Sequence, residues 1–271
     1  MQERVETARR DGNDVARRAV LKGALAAAAA AAVASTATAQ SGAREVIIFV
    51  PGTFSDEVQF RHQMKALSDI ADSRVSMRHA MHETMAGIAE GILRDAPPRF
   101  AIMGLSLGGR AALEVVRQAP ERVTRIGTIA STARGGTSPA RQRVAQIQKE
   151  KGYEAMVEMM IPILIPPESL KNEPLVQEIR AMVLRAGPEV ADRQARASDA
   201  SRDHWDYLPS IKIPALLICG KQDRIATVAE MERTAKGMPN ANLVVVDNCG
   251  HLASQEHPDA VSAAMRKWLA A

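Results

Sequence analysis

Short apolar runs that alternate with helically spaced segments are the feature that most constrains the fold of this 271-residue chain. A continuous apolar run is typical of a buried strand in a parallel sheet, and the intervening helices then cover both faces of that sheet. The pattern therefore predicts a mostly parallel, doubly wound α/β sheet. The predicted strands are Glu45–Val50, Arg74–Met77, Phe100–Gly104, Val123–Ala130, Ala215–Cys219 and Leu243–Val246, and the predicted helices are Val58–Ile70, His82–Leu93, Leu107–Gln118, Val228–Lys236 and Asp259–Leu269.

The interval 138–210 has a different texture from the rest of the chain. It is charged, rich in Met and helical in its spacing, and it contains no strand pattern. Prolines inside a helical pattern end or kink helices, so this interval is expected to form a series of short helices. We interpret it as a helical cap inserted after the sixth strand of the sheet. The interrupting prolines are Pro162, Pro166, Pro167, Pro174 and Pro188.

Residues 1–39 have the layout of a signal peptide. A basic segment precedes the Ala-rich run Gly23–Ala34, and Ala37-Thr38-Ala39 is a small-residue cleavage site. The stretch Arg17–Lys22 resembles the twin-arginine signal read by the bacterial export machinery. The alternative is a membrane anchor, although an uninterrupted span needs about 20 apolar residues. We therefore expect cleavage near Ala39, a domain over residues 40–271, and a periplasmic or secreted protein.

The charge of the remaining chain argues against a nucleic-acid partner. Residues 1–39 hold six Lys/Arg and four Asp/Glu, so they supply +2 of the net +4. The +2 that remains is too small to indicate a basic binding surface. Aromatic residues make up only 3% of the sequence, which also disfavours a stacking platform for bases.

The sequence Gly104-Leu105-Ser106-Leu107-Gly108 lies between a predicted strand and a predicted helix. In that context G-x-S-x-G is typical of a nucleophile elbow, where a serine on a tight turn needs small neighbours. The start of the following helix favours developing negative charge. The alternative is a glycine-rich turn with an incidental serine.

A serine hydroxyl needs a base, and the candidate is His251, which follows the last predicted strand. Asp223 follows the preceding strand and is positioned to orient the imidazole of His251. The alternative role for Asp223 is to cap the helix near Val228. The order Ser106, Asp223, His251 is the one that accompanies G-x-S-x-G elbows.

Two backbone N–H groups are predicted to form an oxyanion hole. One belongs to Leu107, and the second to Thr53 or, as the alternative, Phe54, because both follow the first strand. Phe54 is also a candidate substrate contact. Met156, Met159 and Met160 form an apolar face on the cap whose members either pack its core or line a pocket.

No metal site is predicted. His79, His82 and Glu83 lie close together, but they lack the i, i+4 zinc spacing and a third ligand cluster. Cys219 and Cys249 follow neighbouring strands, which leaves a disulfide or two buried thiols as alternatives.

These motifs together resemble the α/β-hydrolase superfamily, and within it small capped esterases and enol-lactone hydrolases. The matching stretches are 49–53, 104–109, 219–223 and 249–252. Two features depart from the pattern: Pro51-Gly52 replaces the familiar His-Gly, and the sheet begins at the third strand of the fuller fold.

The resemblance implies hydrolysis of a small-molecule ester or lactone through an acyl-enzyme on Ser106, without a cofactor. The alternatives are carbon–carbon bond hydrolysis, cofactor-free haloperoxidase or perhydrolase chemistry, and a ligand-binding module that keeps the fold without turnover.

Overall fold

Six parallel strands form one sheet in the part of the chain that this computed structural model describes, residues 44–136 and 139–271. Every neighbouring pair of strands is parallel. Their spatial order is β2-β1-β3-β4-β5-β6. The strands are β1 (Glu45–Val50), β2 (Ala71–Val75), β3 (Phe100–Leu105), β4 (Val123–Ile129), β5 (Ala215–Gly220) and β6 (Ala241–Val246).

Burial along the strands shows that helices cover both faces of the sheet. Every residue of β3 and β5 is buried, whereas the edge strands β2 and β6 contain exposed residues. This confirms the predicted parallel, doubly wound α/β architecture. The flanking helices outside the cap are α1 (Arg61–Ala66), α2 (Met85–Asp95), α3 (Leu107–Gln118), α7 (Val228–Gly237), α8 (Ala253–Glu256) and α9 (Pro258–Ala270).

The strand order reverses between β1 and β3. From β1 the chain runs outward to β2, and it then returns to the other side of β1 to form β3. The loops that follow β1 and β3 therefore diverge at the carboxyl edge of the sheet, where open α/β folds bind ligands. Val50, the last residue of β1, pairs with Gly104 near the end of β3. This register places the loop after β1 beside Ser106.

Three of the elements predicted between Val58 and Leu93 have other bounds in the structure. The helix predicted over Val58–Ile70 is a 3₁₀ turn, Glu57–Phe60, followed by the short α1. The strand predicted at Arg74–Met77 is β2, which begins earlier, at Ala71. Helix α2 begins only at Met85, because Thr84 caps it by accepting the N–H of Gly87.

The segment between β4 and β5, which we call the cap, is helical as predicted. Its helices are α4 (Pro139–Lys151), α5 (Tyr153–Leu164) and α6 (Glu173–Asp199). They are longer than the short helices expected: Pro162 lies inside α5, and α6 kinks at Gly187, whose φ of 77° lies in the left-handed region. The cap follows the fourth strand of this chain, which is the sixth strand when the fuller fold is counted.

Residues 1–43 lie outside the described residues, and the predicted signal segment 1–39 lies there with them. Within the described ranges, no helix is long and apolar enough to cross a membrane.

Candidate active site

Ser106 lies at the tight turn between β3 and α3. Its φ of 52° and ψ of −112° are unfavourable for a residue with a side chain, a strain that is common at functional sites. Its N–H donates to the carbonyl of Ile129 at 2.9 Å, which holds the turn against β4. The side chain is partly exposed and lines a cavity of about 580 Å³ between the sheet edge and the cap.

The glycines of the G-x-S-x-G motif are required by close backbone approaches. A Cβ atom on Gly104 would lie 2.1 Å from the carbonyl oxygen of Gly108. A Cβ on Gly108 would lie 2.0 Å from the carbonyl oxygen of Val50, at the end of β1. Both distances are far below a van der Waals contact, so these positions admit only glycine without a backbone shift.

Asp223 and His251 form a buried pair at the ends of β5 and β6. The Nδ1 atom of His251 lies 2.8 Å from Oδ2 of Asp223, and both residues are buried. The other carboxylate oxygen of Asp223 accepts the N–H groups of Ile225 at 2.7 Å and Ala226 at 3.0 Å. Asp223 does not cap α7, because Thr227 is the residue that does so.

Ser106 and His251 line the same cavity. No hydrogen bond joins the Ser106 hydroxyl to the imidazole among those made by the described residues. Such bonds between a nucleophile and its base are often long without substrate and shorten in the complex. The structure thus brings the three predicted residues to one site, and their catalytic roles remain a prediction.

The loop that carries His251 is hydrogen-bonded both to Glu256 and to the cap. The carboxylate of Glu256 accepts the N–H of Gly250 at 3.0 Å and that of Leu252 at 3.1 Å. The N–H of His251 itself donates to the carbonyl of Leu164 in the cap, at 2.7 Å. Burial raises the pKa of Glu256 above its usual range. No sequence motif marks Glu256, for which the only available signal was a carboxylate five residues after the histidine.

The loop after β1 distinguishes the two candidates for the second oxyanion donor. The N–H of Phe54 donates to Oε1 of Gln194 in the cap at 2.8 Å, so it is already engaged. Within the described residues, the N–H groups of Thr53 and Leu107 have no acceptor. Gln59 stabilises the same loop by accepting the N–H of Gly52 at 2.7 Å. This arrangement favours Thr53 over Phe54, and the role of either stays a prediction.

Three of the four predicted substrate contacts lie in the cavity wall. Phe54, Met159 and Met160 line the cavity. Met156 was expected there too, but it is fully buried outside the lining. It lies one helical turn before Met160, and of α5 only the turns from Met159 onward line the cavity.

The cavity also contains a buried arginine that no sequence motif marks. Arg110 is 6% exposed and lies on α3, one turn after Ser106. Its guanidinium donates to the hydroxyls of Ser198 at 2.5 Å and Ser201 at 2.9 Å, both at the C-terminal end of α6 or just beyond it. Burial lowers its pKa to about 9.

The cysteines and His79 are buried and do not line the cavity. Cys219 and Cys249 are buried free thiols, which decides between the two alternatives for them. Burial raises the pKa of Cys219 to about 11, so it is a poor nucleophile. His79 is buried and contacts the carbonyl of Ser55 through Nε2. No group of three potential metal ligands occurs in the described part of the chain.

Comparison with known proteins supplies the family context. The sequence profile of the alpha/beta hydrolase family matches residues 47–264. The chain is 26% identical, over 181 residues, to the 2-hydroxy-6-oxononadienedioate/2-hydroxy-6-oxononatrienedioate hydrolase of a Pseudomonas species, and the match covers 64% of this chain and 63% of that protein. It is 25% identical over 168 residues to the 3-oxoadipate enol-lactonase 2 of Acinetobacter baylyi, covering 62% of each. These matches span less than two thirds of either relative.

A solved structure extends the likeness over most of the described chain. It is that of a thermophilic esterase from Thermogutta terrifontis with malate bound. It superposes with a TM-score of 0.75 at 27% identity, covering 84% of this chain and 90% of the esterase.

Proposed function

Because the chain belongs to the alpha/beta hydrolase family, we propose that it is a serine hydrolase that cleaves a carboxylic ester or lactone through an acyl-enzyme on Ser106. The observation that carries this proposal is the buried 2.8 Å contact between His251 and Asp223, in a site where Ser106 lines the same cavity. A serine, an imidazole and a carboxylate in one site are the components of nucleophilic acyl transfer.

The proposed mechanism begins with proton transfer from the Ser106 hydroxyl to Nε2 of His251 as the oxygen attacks the substrate carbonyl. Asp223 accepts the Nδ1–H of His251, which fixes the tautomer and stabilises the imidazolium. The negative oxygen of the tetrahedral intermediate is held by the N–H groups of Leu107 and Thr53, each typically contributing about 3 kcal/mol.

The intermediate collapses when His251 returns its proton to the leaving alcohol or to the ring oxygen of a lactone. Water then attacks the acyl-enzyme with His251 again as base, releasing the acid and restoring Ser106. None of these steps requires a cofactor.

A second candidate is hydrolysis of a carbon–carbon bond by the same residues. It is favoured by the similarity to the Pseudomonas hydrolase, whose named substrates are hydroxy-oxo dienedioates and trienedioates rather than esters. Both candidates share Ser106, so the substrate and not the triad distinguishes them.

The test uses the purified chain, short 4-nitrophenyl esters, a panel of lactones and a fluorophosphonate probe. We expect ester hydrolysis and labelling by the probe, with both lost in Ser106→Ala. Ser210→Ala is the matched control, because its exposed hydroxyl donates to the carbonyl of Tyr207 and does not line the cavity. Labelling without turnover on any ester or lactone would favour the carbon–carbon candidate. A folded protein that is neither labelled nor active would contradict the serine hydrolase proposal.

Export through the twin-arginine route is a separate proposal, supported by the sequence of residues 1–39 alone. Replacing Arg17 and Arg18 with lysine should retain the chain in the cytoplasm and leave its size unprocessed. Fractionation of cells expressing the native and changed chains measures this. Equal export of both would contradict the proposal.

A further inference from the structure

Among the residues that the structure describes, Arg110 is a buried cation without an ion-pair partner. Its guanidinium donates to Ser198 and Ser201, whose accepting groups are neutral hydroxyl and carbonyl oxygens. In the described residues, no carboxylate lies within ion-pair distance of it. A buried arginine is almost always paired, because removing a charge from water without a counter-charge is costly.

The local surroundings compensate this charge only in part. The C-terminal end of α6 provides roughly half a negative charge through the helix dipole. The carboxylate of Asp199 favours the protonated arginine, but it is exposed and forms its ion pair with Arg141 at 3.9 Å. Arg134 and Arg141 act in the opposite direction by lowering the pKa of Arg110. A positive charge therefore remains in the wall of the cavity.

The position of Arg110 relates this charge to the candidate nucleophile. The N–H of Arg110 donates to the carbonyl of Ser106 at 3.3 Å, so one helical turn separates the two residues. Both line the same cavity together with His251. An anion bound at Arg110 would thus lie in the cavity that also receives the molecule attacked by Ser106.

The other charged side chains that line the cavity are mostly positive, like Arg110. Arg134, Arg141, Arg143 and Arg224 line it, and Asp192 is the only acidic residue in the lining that the structure describes. Arg134 and Arg141 are partly neutralised by ion pairs with Glu230 and Asp199. A cleft lined by one sign of charge raises the local concentration of ligands of the opposite sign.

We propose that the substrate is an ester or lactone that carries a free carboxylate, and that Arg110 binds this carboxylate while Ser106 attacks the scissile carbonyl. The inference rests on the proposed hydrolase function and adds the substrate class. Guanidinium is suited to the task because its planar N–H groups match the geometry of a carboxylate.

The experiment compares pairs of esters in which only one member carries a carboxylate. Mono-4-nitrophenyl adipate is paired with 4-nitrophenyl hexanoate, which places the carboxylate in the acyl part. 3-(Hexanoyloxy)benzoate is paired with phenyl hexanoate, which places it in the leaving group. The measured quantity is the ratio of kcat/KM for the anionic ester to that for its neutral partner. We expect the native protein to favour the anion in at least one pair.

Arg110→Gln should lower that ratio roughly ten- to a hundredfold, the usual worth of a hydrogen bond to a charged group. The glutamine amide keeps a neutral hydrogen-bond donor at this position, and because the readout is a ratio, a general loss from a looser cap cancels. Arg110→Lys should retain part of the preference. The control is Arg74→Gln, since Arg74 is exposed, pairs with Asp72 and does not line the cavity.

A measurement on the native protein covers the case in which Arg110→Gln does not fold. Adipate dianion should inhibit hydrolysis of the neutral hexanoate ester and slow fluorophosphonate labelling, whereas neutral adipamide should not. An active, labelled protein with no preference for the anion in either pair, or one whose preference survives in Arg110→Gln, would overturn the inference and leave the hydrolase proposal standing. If neither ester is turned over and no label is incorporated, the hydrolase proposal has failed. In that case, calorimetry compares the affinity for adipate of the native and Arg110→Gln proteins. Weaker binding to the variant would support the anion site, and equal binding would contradict it.

Discussion

Replacing Asp223 with asparagine tests the tautomer argument, because the structure determines which way the new amide must face. One carboxylate oxygen of Asp223 accepts two backbone N–H groups, from Ile225 and Ala226. The other faces Nδ1 of His251 at 2.8 Å. In Asp223→Asn, the amide oxygen should keep the two backbone donors, so the NH₂ group turns toward Nδ1.

That orientation reverses the tautomer of His251. A donor facing Nδ1 forces its proton onto Nε2, the atom that should accept the proton of Ser106. The flipped amide would restore the working tautomer but would leave two N–H groups unpaired, one part-buried and one buried, at a cost of about 2–6 kcal/mol in total. The active arrangement is therefore a minor population, which corresponds to a loss of roughly 10²–10⁴-fold in kcat.

The assay is steady-state hydrolysis of a 4-nitrophenyl ester together with the rate of fluorophosphonate labelling, and both should fall in parallel. Urea unfolding verifies that the variant is folded. Asp247→Asn is the matched control, because Asp247 follows β6, is exposed and pairs with Lys221, and it should retain native activity. A folded Asp223→Asn protein with more than a tenth of native kcat would refute the reasoning.

Three further predictions follow from buried positions. Gly108→Ala brings a Cβ to 2.0 Å from the carbonyl oxygen of Val50, so it should lower kcat by about 100-fold or prevent folding. Activity and urea-unfolding assays measure the two outcomes. Gly87→Ala is the control, because a Cβ there meets only side-chain atoms, and it should change neither. Burial lowers the pKa of His79 from 6.5 to about 4. As the pH falls, this histidine therefore takes up a proton in the unfolded chain before it does so in the folded protein. The free energy of unfolding should drop by up to about 1.4 kcal/mol per pH unit between pH 6.5 and 4. Urea unfolding at a series of pH values should show this drop in the native protein and not in His79→Gln. Cys219 and Cys249 should not react with Ellman's reagent in the folded protein, and both should react after denaturation. Prompt reaction of the folded protein would contradict their burial.

The central sheet and the order of the candidate triad were predictable because they depend on local pattern. Buried parallel strands need continuous apolar runs, and parallel strands bring their carboxyl ends to one edge. Ser106, Asp223 and His251 follow three such strands, so their convergence needed no knowledge of side-chain contacts. The bounds of the edge elements were less predictable: β2 is hydrogen-bonded on one side only, and the start of α2 depends on the cap at Thr84.

What the sequence by itself determined is therefore the fold class, the elbow at Ser106 and the order of the residues around it, because each follows from patterns within a few residues. Only the tertiary structure decided which backbone N–H of the loop after β1 is free, since Phe54 is engaged by Gln194, 140 residues away. It also decided that Arg110 is buried, through contacts with Ser198 in the packed cap. A sequence records that a residue is charged, but whether water reaches that charge depends on which distant segment packs over it.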